Sequence, residues 1–360
     1  MEAIRIVSWQ FPASTSLRRI RRPATSRVVP IAAVATMSEL GGSRMFVFGT
    51  GFVGRYVSER LIQEGWEVSG TCTSAAKKKE LEDMGVGAFV FDARNSKLAG
   101  LHALQHATHL LISIPTMAGI GDPLLFLHED LESTLRQGNL QWLCYLSSTS
   151  VYGDCGGAWV DEDYPVNPKR ASAKLRYTAE KGWLQLANEL GLSAYIFRLG
   201  GIYGPGRSAL DTIIRRKSLS EGQKLRESRN YTARIHVADI YRAIKASMNA
   251  PLSRKVYNVV DDDPAPRAEV FAFAQTLIER KYPDMIRDLR VAALPDTRST
   301  SENTSGEKRV SNARLKDELG VTLLYPTYRS GLQSIIVSIT HYGGGSSDRK
   351  SEMVAVYHHQ

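Results

Sequence analysis

The chain has 360 residues, 43% of them hydrophobic, which suits a globular protein of one large or two closely joined domains. No apolar run reaches the roughly 18 residues that suggest a membrane span, and the three cysteines lack disulfide-framework or zinc spacing. The formal charge of +9 includes a net +5 in residues 1–37, so the remainder carries only +4, and we do not expect a nucleic-acid partner.

Residues 1–37 have the composition of a targeting segment. They contain six arginines, many serines and threonines, and one acidic residue, which is typical of an organelle transit peptide. The small apolar stretch Val29–Ala35 favours a plastid over a mitochondrial processing region. We therefore predict a transit peptide over 1–37 and the chloroplast stroma as the location of the mature protein, with a disordered basic tail as the alternative.

A glycine-rich motif follows the first apolar run. Met45–Phe48 predicts a strand, residues 49–54 read Gly-Thr-Gly-Phe-Val-Gly, and helical spacing of apolar residues comes next. Strand, glycine turn and helix in this order indicate a dinucleotide-binding loop, in which the backbone approaches the pyrophosphate at the helix N-terminus. The residues expected to contact the cofactor here are Gly49, Gly51, Phe52, Val53 and Gly54.

The chain then alternates strands and helices. We predict strands over 67–71, 88–91, 109–113, 142–146 and 194–199, a helix over 75–84, and another from Asp122 to about Gln137. Asp122 and Pro123 suit the N-cap and first turn of that helix. Apolar strands that alternate with helices predict an α/β fold, a Rossmann-type doubly wound parallel sheet covered on both faces.

The alternation weakens beyond residue 200. Short segments rich in glycine, proline and arginine follow, so we predict a Rossmann domain over 44–200 and a smaller C-terminal lobe over 201–340, interleaved with Rossmann elements. Residues 341–360 are rich in glycine, serine and charge without apolar periodicity, which predicts a disordered tail.

Several later segments resemble, in order and spacing, motifs of the extended short-chain dehydrogenases/reductases. The likeness covers roughly residues 44–332 and is strongest to plastid-targeted, NAD-dependent epimerase/dehydratase-like proteins of the atypical branch. It implies a Rossmann domain, a small substrate lobe, and hydride transfer between a nicotinamide ring and a carbon–oxygen centre. The matching segments are Tyr145–Gly153, Asp161–Glu162 with Pro165 and Pro168, Arg198 with Tyr203–Gly206, Ile235–Asp239, and Tyr257–Val259.

The resemblance also implies a set of catalytic roles. In that family a tyrosine acts as general acid or base, and a lysine four residues later lowers its pKa. A cation is needed because the pKa of an unperturbed phenol is about 10. A serine or threonine after the fifth strand bonds the substrate oxygen, and Ser148 matches it.

Three registers compete for the tyrosine position. If Lys174 is the lysine, Arg170 takes the tyrosine position. If Glu180 is aligned with a glutamate of the family helix, Ser172 and Arg176 take the tyrosine and lysine positions instead.

The third register spells Tyr-x-x-x-Lys with Tyr177 and Lys181, about two helical turns late. Without the usual phenol, activity would need another acid, such as Tyr152, Tyr203 or water, or would be absent. The candidate catalytic residues are therefore Ser148, Tyr177, Lys174 and Lys181.

Cofactor choice depends on the end of the second strand. NAD sites usually carry an acidic residue there, but residues 70–74 contain none. Thr73, Ser74 and Lys77 offer hydroxyls and a cation that suit a 2′-phosphate, so we predict NADP in preference to NAD, unless lysines 77–79 form a solvated helix face. Further along, the resemblance implies adenine contacts at Asp92 and Ala93, and Ser113 and Pro115 on the nicotinamide side. We predict no metal.

The substrate pocket is expected between the strand ends and the C-terminal lobe. Arg207, Arg215 and Arg234 could bind an anionic substrate there. We predict an NADP-dependent oxidoreductase, epimerase or dehydratase of a small oxygenated metabolite. The alternatives are a catalytically impaired dinucleotide-binding redox sensor or scaffold and, less favoured by the modest charge, an RNA-binding member such as some atypical plastid relatives. Related enzymes often pair through helices after strands four and five, which makes a homodimer an option.

Overall fold

A computed structural model describes residues 42–215, 230–283, 307–342 and 355–357. The predicted transit peptide and most of the predicted tail lie outside these ranges. The strands are β1 (Arg44–Phe48), β2 (Glu67–Cys72), β3 (Gly87–Val90), β4 (His109–Ile112), β5 (Trp142–Ser148), β6 (Trp159–Val160), β7 (Ser193–Leu199), β8 (Gly201–Tyr203), β9 (Arg234–His236), β10 (Arg254–Val259), β11 (Arg309–Val310), β12 (Ile339–Tyr342) and β13 (Ala355–Tyr357).

Eleven α-helices are described, with short 3₁₀ turns at Leu98–Gly100 and Thr149–Tyr152. They are α1 (Phe52–Gln63), α2 (Ala75–Asp83), α3 (His102–His106), α4 (Pro123–Leu127), α5 (Leu131–Gln137), α6 (Ala171–Leu190), α7 (Ala209–Ile214), α8 (Val237–Met248), α9 (Arg267–Lys281), α10 (Ala313–Leu319) and α11 (Tyr328–Ser338). In the described part of the chain, no helix combines the length and hydropathy needed to cross a bilayer.

Seven strands form one parallel sheet in the order β3-β2-β1-β4-β5-β7-β10. This is the doubly wound order, and it confirms the predicted Rossmann fold. The direction of winding reverses between β1 and β4. Ligands of such sheets bind beyond the carboxyl ends of the strands at this switch point.

Helices cover both faces of the sheet, and successive side chains of a strand point to opposite faces, so alternate residues enter different cores. Met45 and Val47 pack into one apolar core, which includes residues of α1 and α8. Phe46 and Phe48 pack into the other, which includes Trp183 of α6. The sheet therefore holds the ends of β1, β5 and β7 in fixed relative positions.

One predicted helix is interrupted. Asp122 caps α4 as expected, accepting hydrogen bonds from the N–H groups of Leu124 and Leu125. The helix then stops, and α5 begins at Leu131. Between them the buried His128 ring turns inward and its Nε2 bonds the Ala93 carbonyl at 2.9 Å. The chain therefore leaves the helical conformation at His128, where it makes this long-range contact, and resumes it at Leu131.

The C-terminal half of the chain contributes to two cores. Strand β10 belongs to the sheet and α8 packs into the core on one of its faces, whereas α7, α9 and α11 surround a separate apolar core that includes Leu210, Ala274 and Leu332. Within the segment predicted as a disordered tail, β13 pairs antiparallel with β12, which differs from that prediction at residues 341–342 and 355–357. Residues 343–354 and 358–360 lie outside the described ranges.

Candidate functional site

The glycine loop joins β1 to α1 at the carboxyl edge of the sheet. Gly49 has φ of 91°, a conformation that side chains disfavour, and a Cβ there would lie 3.2 Å from Ile114 after β4. A Cβ on Gly54 would lie 2.3 Å from the Gly49 carbonyl oxygen, whereas one on Gly51 would meet nothing within 4 Å. The three glycines thus provide a tight turn, an open approach and close helix packing, which is the geometry of a dinucleotide loop.

Thr71 at the end of β2 anchors this loop from behind. Its hydroxyl accepts from the N–H of Gly49 at 2.9 Å, and its carbonyl accepts from the N–H and hydroxyl of Thr50 at 2.9 and 2.8 Å. The Thr71 side chain is buried, so it is committed to the loop.

The N-terminus of α1 is suited to an anion. Gly51 offers no side-chain cap, and the first turn contains no acidic residue, so its N–H groups and positive dipole end can face a phosphate. The Val53 side chain is buried, which leaves its backbone as the part able to meet a cofactor, and Phe52 is half-buried. An open glycine backbone beside an uncapped helix fits the pyrophosphate of a dinucleotide.

The residues after β2 form an exposed rim. Ser74 caps α2 by accepting a hydrogen bond from the Lys77 N–H at 3.4 Å, so its hydroxyl is partly engaged. Thr73 and the Lys77 side chain are exposed, whereas Lys78 pairs with Glu82 at 3.6 Å. Thr73 and Lys77 therefore remain accessible to a ligand.

The candidates after β3 and β4 lie at the same edge of the sheet. Asp92 accepts hydrogen bonds from the Arg94 side chain and N–H, which lower the pKa of its carboxyl. Ala93 is buried, and Ser113 donates its N–H to the Phe48 carbonyl at 2.8 Å. Pro115 is exposed. The fold thus collects the predicted cofactor residues along one edge, and their contacts with a cofactor stay predictions.

A cavity of about 700 Å³ opens between the ends of β5 and β7 and the C-terminal lobe. Its lining in the described chain contains one acidic residue, Asp211, which is bonded to Ser208 at 2.6 Å. Five basic residues line the cavity, which gives it the charge expected of a site for an anion. They are Arg176, Arg207, Arg234, Arg267 and Lys308.

The three arginines predicted to bind an anion differ in position. Arg207 lines the cavity and is exposed. Arg234 also lines it but is buried, and it donates to the Ala265 carbonyl at 2.8 Å and to the Thr232 hydroxyl. Arg215 is outside the described lining and pairs with Asp211 at 3.7 Å. Arg207 is therefore the best placed of the three to contact a ligand.

A buried ion pair supports the floor of the cavity. Glu180 of α6 and Arg198 of β7 meet at 2.8 Å, with side chains only 2% and 4% exposed. Burial opposes the charge of Arg198, but hydrogen bonds and the charge of Glu180 outweigh it and raise the pKa of the guanidinium. The Ser147 hydroxyl donates to the same carboxylate. Ser148, the next residue, lines the cavity and accepts from the Ser150 N–H at 3.1 Å, which leaves its own proton to donate.

The position of Glu180 determines which part of α6 faces the cavity. Arg176, one turn earlier, lines it, whereas Ser172, in the first turn, is exposed and outside the described lining. The place of Arg176 in the lining, with Glu180 buried one turn later, favours the register in which Ser172 and Arg176 take the tyrosine and lysine positions.

The other candidates on α6 are placed elsewhere. Tyr177 packs against an apolar cluster that includes Val151 and Val260, and the Lys181 ammonium lies 4.4 Å from the centre of its ring. Lys174 is exposed. None of Tyr177, Lys174 and Lys181 is part of the described cavity lining, and their catalytic roles stay predictions.

The two alternative phenols have enclosed hydroxyls. Tyr152 donates to Asn258 at 2.8 Å, and burial raises its pKa to about 12. The Tyr203 ring lines the cavity, but its hydroxyl is buried against Gly331, where a Cβ would lie 2.2 Å from the oxygen. Three further residues of the lining could not be predicted from the sequence: Tyr231, Arg267 and Lys308. They lie far from one another along the chain, so no local motif marks them as members of one site.

The comparisons with known proteins identify the family of this chain. The sequence model of the NAD dependent epimerase/dehydratase family matches residues 45–260. Protein YeeZ of Escherichia coli strain K12 is 29% identical over 290 residues, which are 79% of this chain and 96% of that protein. No group of three potential metal ligands occurs in the described ranges.

Two solved structures illustrate the likeness of fold. A functionally unknown conserved protein from Silicibacter pomeroyi DSS superposes with a TM-score of 0.63 at 33% identity, covering 82% of this chain and 98% of that one. UDP-glucuronic acid 4-epimerase from Bacillus cereus, solved in complex with NAD, gives 0.61 at 16% identity, covering 82% and 96%. The family match spans more than half of the chain, so the inferred likeness to extended short-chain dehydrogenases/reductases is confirmed, and the chain belongs to the NAD-dependent epimerase/dehydratase family.

Proposed function

We propose that this protein binds NADP and catalyses an oxidoreduction, epimerisation or dehydration of a small, negatively charged, oxygenated metabolite. The observation that carries the proposal is the cavity at the carboxyl edge of the sheet, whose described lining holds five basic residues and one acidic residue. It lies at the edge where a glycine loop is shaped for a pyrophosphate. The arginine-rich first 37 residues support a plastid location.

Ser148 and Arg176 would act on the reacting oxygen. The Ser148 hydroxyl has a proton to donate to a substrate oxygen, and the Arg176 guanidinium would stabilise negative charge that develops on it. A guanidinium stays protonated at neutral pH, so Arg176 would supply charge without exchanging a proton. The proton would move through a hydroxyl or a water molecule. The nicotinamide ring, when bound, would exchange hydride with the substrate.

The preference for NADP rests on the rim beyond β2. That strand ends without a carboxylate, and the Thr71 hydroxyl is already bonded to Gly49. The exposed Thr73 and Lys77 offer a hydroxyl and a positive charge to a 2′-phosphate, which a carboxylate would repel.

A second candidate function is a dinucleotide sensor without turnover. It is favoured by Ser172, which stands at the tyrosine position in the register that Glu180 supports. A serine hydroxyl is a much weaker acid than a phenol. In this case the cavity would bind an anionic regulator, and the dinucleotide would report redox state.

Calorimetric titration of the full chain with NADPH and NADH tests the proposal. We expect micromolar binding of NADPH and binding of NADH at least about tenfold weaker, a difference of about 1.4 kcal/mol. If neither ligand binds, the proposal is wrong; if NADH binds as tightly, the NADP preference is wrong.

A panel of phosphorylated and carboxylated aldehydes, ketones and alcohols then separates the two functions. Reduction is read by loss of reduced nicotinamide absorbance, and epimerisation or dehydration, which leave the coenzyme unchanged overall, by chromatography of the products. Turnover that Ser148→Ala abolishes, without loss of NADPH binding, supports the enzyme. NADPH binding without turnover on any member supports the sensor.

A further inference from the structure

The turn between β8 and α7 is closed by two backbone hydrogen bonds and carries the exposed side chain of Arg207. The N–H of Gly204 donates to the Arg207 carbonyl at 3.1 Å, and the N–H of Arg207 donates to the Gly204 carbonyl at 3.0 Å. Pro205 and Gly206, with φ of 79°, occupy the central positions, as a type II turn requires. The backbone that carries the Arg207 side chain is therefore fixed.

This turn packs on the first residue of α1. A Cβ on Gly204 would lie 3.2 Å from Phe52 Cζ and 2.7 Å from Val237 Cγ1, so the approach needs a glycine. The Arg207 guanidinium carbon lies 5.3 Å from the centre of the Phe52 ring, within cation–π range. Phe52 directly follows Gly51, whose backbone is open to a pyrophosphate. Arg207, which comes from the C-terminal half of the chain, thus lies beside the first residue after the glycine loop.

Arg207 also lines the cavity of about 700 Å³. Among the residues that the structure describes, no carboxylate lies within ion-pair distance of its guanidinium. A planar guanidinium carries five N–H donors, which is enough to contact two anionic groups at once. Because Arg207 lies beside the residue that follows the glycine loop and also lines the cavity, one anionic group could meet it from each side.

We propose that Arg207 bridges the two ligands of this protein, contacting the dinucleotide pyrophosphate beside Phe52 and an anionic group of the substrate in the cavity. The inference rests on the proposed function, because it requires a dinucleotide at the glycine loop. Two anions held close together repel each other, but the first to bind orders the exposed Arg207 side chain, and the second meets a side chain that is already ordered. This saving of conformational entropy outweighs the repulsion between the two anions. Each ligand then strengthens the binding of the other by the same factor.

The test is calorimetric titration of NADPH into the full chain with and without saturating inorganic phosphate, at constant ionic strength. We expect phosphate to tighten NADPH binding about fivefold or more in the wild-type protein. In Arg207→Gln we expect NADPH alone to bind about tenfold more weakly, as loss of a charge-assisted hydrogen bond implies. Phosphate should then have no effect or weaken binding further.

Two further variants make the result specific. Arg207→Lys keeps the charge without the planar fork, so we expect it to retain part of the affinity and little coupling. Arg280→Gln removes an exposed cation of the same half of the chain, outside the described cavity lining, and should behave as wild type. The thermal midpoint of each variant confirms that it is folded.

The outcomes separate the inference from the function on which it rests. A wild-type protein that binds no dinucleotide overturns the proposed function. A wild-type protein that binds NADPH equally well with and without phosphate, or more weakly with it, overturns the coupling. Unchanged NADPH affinity in Arg207→Gln overturns the pyrophosphate contact alone.

Discussion

The glycine loop and the first turns of α6 serve the same edge of the sheet but differ in how closely they follow the family pattern. In the loop, Gly49 and Gly54 each have a steric reason to lack a side chain, and Gly51 leaves its backbone open. In α6, Ser172 and Arg176 stand at the tyrosine and lysine positions in the register favoured by Glu180. The contrast teaches that the geometry of the glycine loop can be kept while the residues at the tyrosine and lysine positions change.

We expect the largest effect from removing the buried Glu180–Arg198 ion pair, which holds α6 against β7. Glu180→Ala leaves Arg198 charged in the core without its partner, which should lower the unfolding free energy by about 3–5 kcal/mol. Urea denaturation measures this. Glu189→Ala, exposed on the same helix, is the matched control, expected within about 0.5 kcal/mol of wild type. Similar losses in both variants would contradict a special role for the buried pair.

Restoring the tyrosine and lysine of the family motif tests whether α6 lacks only these two side chains. The double variant Ser172→Tyr with Arg176→Lys places a phenol and an ammonium at the family spacing on a helix that is already anchored. We expect turnover of an accepted substrate to rise about a hundredfold over Arg176→Lys alone, the usual size of a general acid–base contribution. Steady-state kinetics of both variants measure the ratio. A ratio near one would mean that protons do not move through this part of α6.

Two alanine substitutions test the roles of the glycines in the loop. Gly54→Ala introduces a Cβ 2.3 Å from the Gly49 carbonyl oxygen and should cost about 1–3 kcal/mol of unfolding free energy, together with NADPH binding. Gly51→Ala meets no neighbour and has φ of −76°, so we expect wild-type stability but weaker NADPH binding. Denaturation and calorimetry on both proteins separate packing from ligand approach, and equal stabilities would argue against the packing role of Gly54.

The smallest effect is expected at Tyr177. Its ring packs against the cluster around Val151, while its hydroxyl has no described place in the cavity lining. Tyr177→Phe should change neither stability nor turnover by more than about 0.5 kcal/mol. A large fall in kcat with an unchanged unfolding midpoint would restore the later register and remove the contrast between loop and helix.

Six of the seven sheet strands could be predicted from the sequence because they contain short apolar runs, and the loop because three glycines have a local steric explanation. Strand β10 could not, because polar residues occupy half of its six positions. The register of α6 could not, since it depends on Arg198, 18 residues beyond Glu180. A signal was present: Glu180 shares the buried side of α6 with Ala173 and Trp183, where a charge needs a partner. The break before α5 depends on the Ala93 carbonyl, which local patterns do not reveal.

The bonds from the loop to Thr71 have a consequence for how the protein could diverge. Because the loop is held by a side chain behind it, the exposed residue Thr73 carries no described bond that shapes the motif. Mutations at Thr73 can therefore accumulate without unfolding the nucleotide-binding turn. A lineage could exchange one reducing coenzyme for the other by small steps at this rim, with the scaffold intact at every step.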